Sequence, residues 1–182
     1  MRQGRLYYVM GPWGAGKDSV IEWARVNGPS YDVAYAHRYV TPSLESLGGN
    51  HVALTPVEFD LRERRGLFAL TWQAHGLRCG LGKEIEHWLR QGVDVLVNGS
   101  RGAFPSAQAR FNDMVPVLIT ASRESIVSRM LSSGPEAAEQ IDQRLARHDS
   151  YVVPEKTVTI VNEGNLPEAG MSLLKAIRNH SA

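Results

Sequence analysis

Three things are scarce in this 182-residue chain: cysteine, long apolar runs and net charge. Cys79 is the sole cysteine, which excludes an internal disulfide and fits a reducing cytoplasm. No apolar run approaches the roughly 20 residues needed to cross a bilayer. The N-terminal run Leu6 to Met10 is too short for a signal peptide and is closed by Gly11-Pro12. A cytoplasmic protein without a membrane partner is therefore expected. Lys and Arg number 20 against 19 Asp and Glu, a formal net charge of +1. Duplex-binding proteins carry a strong basic excess, so nucleic acid is not the expected main partner. Repeats and low-complexity segments are also missing. What remains is ordinary: 43% hydrophobic and 21% charged residues, enough to bury the core of one domain spanning 1–182.

Short apolar runs alternate with helical stretches, which predicts an α/β fold with a parallel-sheet core and helices on both faces. Core strands are expected near 6–10, 93–97, 115–120 and 157–161, with a further short strand over Val33 to Ala36 and a strand-like run over Leu67 to Trp72. Helices are expected over about Lys17 to Val26, Pro56 to Arg65, Lys83 to Gln91, from Ser122 onward, Pro135 to His148 and Pro167 to Arg178. Thr55-Pro56-Val57-Glu58 is a capping box with proline at the first helical position. The stretch from about 36 to 80 breaks the rhythm and reads as an inserted substrate subdomain. The stretch from about 123 to 148 carries four arginines and reads as a lid.

Gly11-Pro12-Trp13-Gly14-Ala15-Gly16-Lys17-Asp18 nearly matches the phosphate-loop pattern G-x-x-x-x-G-K-[ST], between an apolar strand and a helix. Backbone N–H groups must converge on phosphate oxygens there, and side chains at Gly11, Gly14 and Gly16 would obstruct them. The helix that follows points its positive end at the anion, and Lys17 adds a full charge. The expected nucleotide contacts are residues 11–18 and Ser19, and the fold is that of a P-loop NTPase. The departure is Asp18, where a hydroxyl normally meets magnesium. A carboxylate is a good magnesium ligand, and it is also favoured at a helix start, so both roles stay open. Asp94 to Arg101 is a buried strand ending in polar groups, where ligands of open α/β sheets gather. Its end carries Asn98 where an Asp is usual. The missing negative charge is at Asp18, so Asp18 and Asn98 are the candidate metal pair.

The chain resembles guanylate kinases. The resemblance is carried by the loop at 11–17, Arg38, Thr55-Pro56-Val57-Glu58-Phe59, the stretch Phe68 to Gly80 with His75, Gly76 and Gly80 in register, Gln140-Ile141 with Arg144, and Val161-Asn162. It implies that Arg38 holds a substrate phosphate and that Asn162 lies on the adenine side. The substrate side differs. Leu70 stands where that family's guanine-holding glutamate falls, Cys79 and His51 stand for its phosphate-binding tyrosines, and Thr41 for a second arginine. Guanine's N–H donors would be left without an acceptor, so GMP is not the expected acceptor.

Five segments are similar to the ribose 1,5-bisphosphate phosphokinase family of bacterial phosphonate breakdown. They are Gly16-Lys17-Asp18, Ala36 to Tyr39, Asn50 to Leu54, Trp72 to Gly76, and Val97 to Arg101. Ser133 departs from that family's frequent arginine. The resemblance implies ATP and Mg2+, and a phosphorylated sugar as acceptor. Lys17, Arg38 and the lid arginines Arg129, Arg144 and Arg147 would be the catalytic cations. Substrate contacts are expected from Arg38, His51, Gln73, His75, Ser100 and Arg101. The acceptor atom would be a phosphate oxygen, already anionic, so positioning and charge neutralisation suffice without a strong base. A nucleoside monophosphate kinase and a non-catalytic binding module are the alternatives. Intact Gly16-Lys17 weighs against the second.

Overall fold

The computed structural model describes residues 2–41, 49–74, 76–132, 141, 143, 145, 146 and 150–181. The chain opens with β1, Leu6–Met10, and α1, Lys17–Asn27. The parallel sheet then takes β2, Val33–Tyr35; β7, Asp94–Asn98; β8, Val115–Thr120; and β9, Val158–Val161. Its order is β2-β7-β1-β8-β9, and every pairing is parallel. The four expected core strands are present within a residue or two, and β2 joins them at one edge.

β1 is buried throughout because the sheet is covered on both faces. Tyr7 and Val9 face a cluster that includes Val20, Ile21 and Ala24 of α1 and Leu173 and Ile177 of the C-terminal helix, Leu166–Ser181. Tyr8 and Met10 face the opposite cluster. That second cluster includes Ile85 and Leu89 of α3, Glu84–Arg90, and Phe104 and Ala107 of α4, Phe104–Arg110. Each fully buried aliphatic or aromatic side chain here contributes about 1.5–3 kcal/mol. Asp94 fastens the start of β7, accepting from Arg2 Nη2 at 2.9 Å and from Arg5 N at 2.8 Å.

Residues 38–82 build a second, four-stranded sheet, ordered β4-β3-β6-β5. Its strands are β3, Arg38–Thr41; β4, His51–Ala53; β5, Phe68–Ala74; and β6, Leu77–Gly82. Only β5 was legible as a strand; β3, β4 and β6 are too short or too rich in polar residues and glycine to show an apolar period. Helix α2, Pro56–Arg64, starts as expected, with Thr55 Oγ1 accepting from Glu58 N at 3.2 Å. Helix α4 was also not expected, because Ala, Ser and Gln dilute its apolar face.

Register decides the faces of this sheet. Arg38 pairs with His51 on one side and Leu81 on the other, and Leu81 pairs with Leu70. Side chains alternate along a strand, so Arg38, His51, Leu70, Trp72, Cys79 and Leu81 share one face, toward the parallel sheet. A register shift between Phe68 and Leu70 turns Phe68 to the other face, where it meets Phe59 of α2 at a ring separation of 4.7 Å. Thr71, Gln73 and Arg78 lie on that α2 face as well.

Candidate active site

The phosphate loop leaves β1 in tight contact with β8: a Cβ on Gly11 would lie 2.3 Å from the Ile119 carbonyl oxygen. Gly14 and Gly16 have φ of +84° and +75°, a region that disfavours L side chains. A Cβ on Gly16 would also meet Asn162 Nδ2 at 2.5 Å. Asn162, 5% exposed, donates from Nδ2 to Ala15 O at 2.9 Å. It braces the loop from behind, whereas the resemblance placed it on the nucleotide. Trp13 and Ser19 are exposed.

Helix α5, Arg123–Ser132, sends Arg129 to the same place. Its guanidinium donates to Gly14 O at 3.1 Å and Asn162 O at 2.8 Å. Arg129 was expected over the transferring group; these two bonds tie the phosphate loop, α5 and the segment after β9 into one piece. Arg144, Arg147 and His75, together with most of the expected helix 135–148, fall outside the described residues.

Lys17, Asp18 and Asn98 meet at the loop's exit. Lys17 Nζ donates to Asp18 Oδ1 at 2.9 Å and to Asn98 Oδ1, and Asn98 Nδ2 donates to Asp18 Oδ1. The two positions singled out for their exchanged side chains are therefore neighbours, although 80 residues separate them. Burial acts to raise the Asp18 carboxyl, but the Lys17 ammonium, its hydrogen bond, the Asn98 amide and the Arg38 charge hold it at about 2. Burial pushes the Lys17 ammonium below its ordinary value, against the pull of Asp18. Among the described residues no group of three or more His, Cys, Asp and Glu could hold a metal ion. Magnesium does not require one: it keeps waters and takes one or two protein oxygens plus substrate phosphates. The oxygens of Asp18 and Asn98 fit that donor set.

Arg38 and His51 sit side by side across β3 and β4, with Arg38 Nη2 and His51 Nε2 3.0 Å apart. Burial, then the Arg38 charge, pull the imidazole down to about 4, so it is neutral near pH 7. A guanidinium can only donate, so Nε2 accepts and the ring proton resides on Nδ1. Arg38 Nε and His51 Nδ1 are both buried without a partner among the described residues. The pair therefore presents two unused N–H donors. Arg38 also acts electrostatically on Lys17 and Asp18, so it lies within range of the phosphate loop. Cys79, on the same face, is 3% exposed, and burial raises its thiol.

Beyond Asn98 the chain turns sharply. Tyr8 Oη donates to Ser100 O at 2.8 Å and accepts from Ser100 N at 3.0 Å. A Cβ on Gly99 would lie 2.2 Å from the Tyr8 ring, so glycine is required for this close approach. Burial pushes the Tyr8 phenol up to about 12, which keeps it a neutral donor. Arg101 follows, its guanidinium 4.9 Å above the Tyr151 ring and its Nη1 buried without a partner. Tyr8 and Tyr151 escaped the sequence reading. For Tyr8 the available signal was a hydroxyl inside an apolar strand, which must find a partner when buried.

Gln73 is a correction. It is exposed on the α2 face, opposite Arg38 and His51, beside Arg78, which is held by Asp60 and Glu63. Alternation from Leu70, which faces Arg38, puts it there. Leu70 is 7% exposed, in the hydrophobic cluster that includes Val97 and Phe104. A side chain built into the core cannot read a polar base edge.

No protein-family model matches the chain. It is 49% identical to the ribose 1,5-bisphosphate phosphokinase PhnN of Chromobacterium violaceum, over 97% of this chain and 95% of that one. Identity to the protein of the same name from Thiobacillus denitrificans is 41%, over 100% of this chain and 97% of that one. For the Desulfomicrobium baculatum protein the figures are 44%, 93% and 91%. Among solved structures, guanylate kinase from Anaplasma phagocytophilum superposes with a TM-score of 0.73 at 15% identity, over 99% of this chain and 87% of that one. A gluconokinase from Sinorhizobium meliloti gives 0.54 at 16%, over 100% and 95%. These superpositions establish the P-loop kinase fold. Among the described residues no helix is long and apolar enough to cross a membrane.

Proposed function

The chain belongs to the ribose 1,5-bisphosphate phosphokinase family, and from that premise we propose that it transfers the γ-phosphoryl group of ATP to the 1-phosphate of ribose 1,5-bisphosphate. The products are 5-phosphoribosyl 1-diphosphate and ADP. The bond between the γ-phosphorus and the β–γ bridging oxygen breaks, and a bond from that phosphorus to a 1-phosphate oxygen forms. The acceptor oxygen is already anionic, so the transfer needs no proton acceptor.

The observation that carries this reading is the Arg38–His51 pair, two buried N–H donors without partners, on the sheet face that turns toward the phosphate loop. Unused buried donors cost free energy unless a ligand completes them. A phosphate oxygen is the acceptor that suits a guanidinium and a neutral imidazole together. Leu70 removes the means of reading guanine, which separates this acceptor from GMP.

The chain's own residues then divide the work. The loop backbone from Gly11 to Lys17 cradles the donor phosphates, and the Lys17 ammonium exchanges its protein partners for their oxygens. Arg129 and Asn162 keep the loop in shape. Asp18 and Asn98 are the residues that would hold magnesium, which when bound neutralises charge on the donor phosphates. Arg38 and His51 hold the acceptor phosphate in line with the donor. Arg144 and Arg147 complete the cationic set as lid residues. Catalysis is by orientation and preorganised charge.

ADP release measured with ribose 1,5-bisphosphate, with GMP and with no acceptor tests the reading. We expect turnover with the sugar bisphosphate at least about a hundredfold above that with GMP, as a site lacking its base-reading acceptor implies. Equal turnover with GMP would return the chain to the nucleoside monophosphate kinases.

A further inference from the structure

Arg101 is an unusual arginine in this molecule. Its side chain is half-buried, and one terminal nitrogen is fully enclosed. Among the described residues no carboxylate pairs with it, and its electrostatic neighbour is the Tyr151 phenol. The other enclosed or partly enclosed cations are compensated or shared. Lys17 has Asp18, Arg78 has Asp60 and Glu63, and Arg129 has two carbonyl oxygens. Arg38 and Arg101 are the exceptions, since Arg38 has only a neutral imidazole.

Arg101 is also held in place. The Tyr8 hydroxyl clamps both backbone groups of Ser100, the Gly99 turn admits no side chain, and the Tyr151 ring supports the guanidinium from one side. The Tyr151 hydroxyl contacts Met10 Sδ at 3.2 Å, at the carboxyl end of β1, so the ring lies at the ligand-binding edge of the parallel sheet. Burial pulls the guanidinium below its ordinary value, as expected for a cation with no counterion. A fixed, desolvated and uncompensated charge at the mouth of a site is destabilising to the free protein unless an anion completes it.

The topology sends the two exceptional arginines out from neighbouring strand ends. Tyr35 of β2 and Leu96 of β7 are register partners on adjacent parallel strands. Arg38 lies three residues past Tyr35 and Arg101 five past Leu96, so both emerge from neighbouring strand ends on the carboxyl side of the sheet. They differ in their surroundings. The Arg38 charge is felt by Lys17 and Asp18, at the donor end. No such influence of Arg101 on that pair is present.

We propose that Arg101 anchors a second anion subsite, which receives the distal phosphate of a bisphosphorylated acceptor while Arg38 and His51 hold the phosphate that is extended. The assignment rests on the acceptor proposed above and specifies how it is read. With ribose 1,5-bisphosphate, the 1-phosphate lies at Arg38–His51 and the 5-phosphate at Arg101. A nucleoside monophosphate carries one phosphate and leaves Arg101 uncompensated, so the second subsite selects for two anionic groups.

The test crosses enzyme variants with truncated acceptors. The kcat/KM values for ribose 1,5-bisphosphate and for ribose 1-phosphate are measured with wild type, Arg101→Met and Arg101→Lys. Wild type should prefer the bisphosphate by about a hundredfold or more, the scale of a charge-assisted bidentate contact. Arg101→Met should abolish most of that preference, and Arg101→Lys, which keeps the charge without the fork, should retain part of it. The lysine variant answers the question if the methionine variant does not fold. A preference that survives both substitutions, with the two acceptors depressed by one common factor, overturns the proposal. Calorimetry with ribose 5-phosphate gives a second readout free of turnover. The binding heat should vanish in Arg101→Met and persist in Arg38→Met, and the reverse pattern overturns the assignment. A wild type inactive on both acceptors would count against the proposed reaction alone, and the calorimetric comparison would still decide the subsite.

Discussion

At the donor end of the site, Lys17 and Arg129 both have partners supplied by the protein, and the loop between them is fixed by three glycines and the Asn162 brace. At the acceptor end, Arg38 and Arg101 hold buried N–H groups with no partner among the described residues. The contrast follows from what each end must bind. A triphosphate chain presents the same oxygens in every nucleotide, and a preformed backbone cradle can receive it whatever else is attached. The acceptor must be told apart from other phosphate esters. Unsatisfied donors discriminate strongly because the wrong ligand leaves them unpaired in a desolvated place. The donor end is therefore complete without ligand, whereas the acceptor end is completed by it.

The contrast breaks most readily at Lys17. Lys17→Ala removes the only side-chain cation of the loop and should lower kcat by about a thousandfold or more, with thermal unfolding little changed. Near-normal turnover would mean that the loop does not hold the donor.

Substitution at Asp18 and Asn98 sharpens the same comparison. Asp18→Ser leaves the cluster without a carboxylate and should raise the magnesium concentration for half-maximal turnover by about tenfold or more. Asn98→Asp added to that variant should recover part of the loss, because it returns one negative charge to the other side of the same site. Neighbours that share one ion are non-additive. If the double variant equals the product of the single effects, Asp18 is a helix-start residue and no more.

The smallest effect is expected from protonation of His51. Its folded value of about 4 lies below the ordinary 6.5. Between these limits the unfolded chain binds more protons than the folded one, so stability rises with pH. The contribution is fully present above about pH 6.5 and is lost as pH falls toward 4. Denaturant midpoints of wild type should decline across that window, and His51→Asn should flatten part of the decline. Asp18 titrates lower, from its ordinary value down to about 2, and does not confuse the result. An unchanged slope in His51→Asn would show that burial and the Arg38 charge do not hold the ring neutral.

Much of the donor end was legible in the sequence because its signals are local. Gly11, Gly14, Gly16 and Lys17 lie within one turn and one helix start, and their spacing is the chemistry. The exchange between Asp18 and Asn98 was also legible, since each departs from a pattern at a known position. The acceptor end was harder to read. Arg38, His51, Ser100 and Arg101 could be singled out by resemblance, but nothing in their neighbours says that two of them are left without counterions. Tyr8 and Tyr151 gave no sign of their parts in placing the Ser100 turn and Arg101, because their partners lie 92 and 50 residues away.

By itself the sequence determined the succession of the parallel-sheet strands along the chain, the glycine cradle after β1, the cap at Thr55 and the absence of a guanine reader at position 70. Each of these acts over a few residues, through backbone sterics, apolar period or the loss of a single functional group. Tertiary structure alone decided the face of every residue in the second sheet. Pairing of Leu70 with Leu81 put Leu70 and Trp72 on the side of Arg38 and, by alternation, Gln73 away from the site, while one register shift turned Phe68 to the α2 face. The tertiary structure likewise turned Arg129 toward the carbonyls of Gly14 and Asn162 and left Arg101 enclosed over Tyr151. Strand register and burial depend on partners distant in the chain, and the balance of charge around a buried cation exists only once those partners have met.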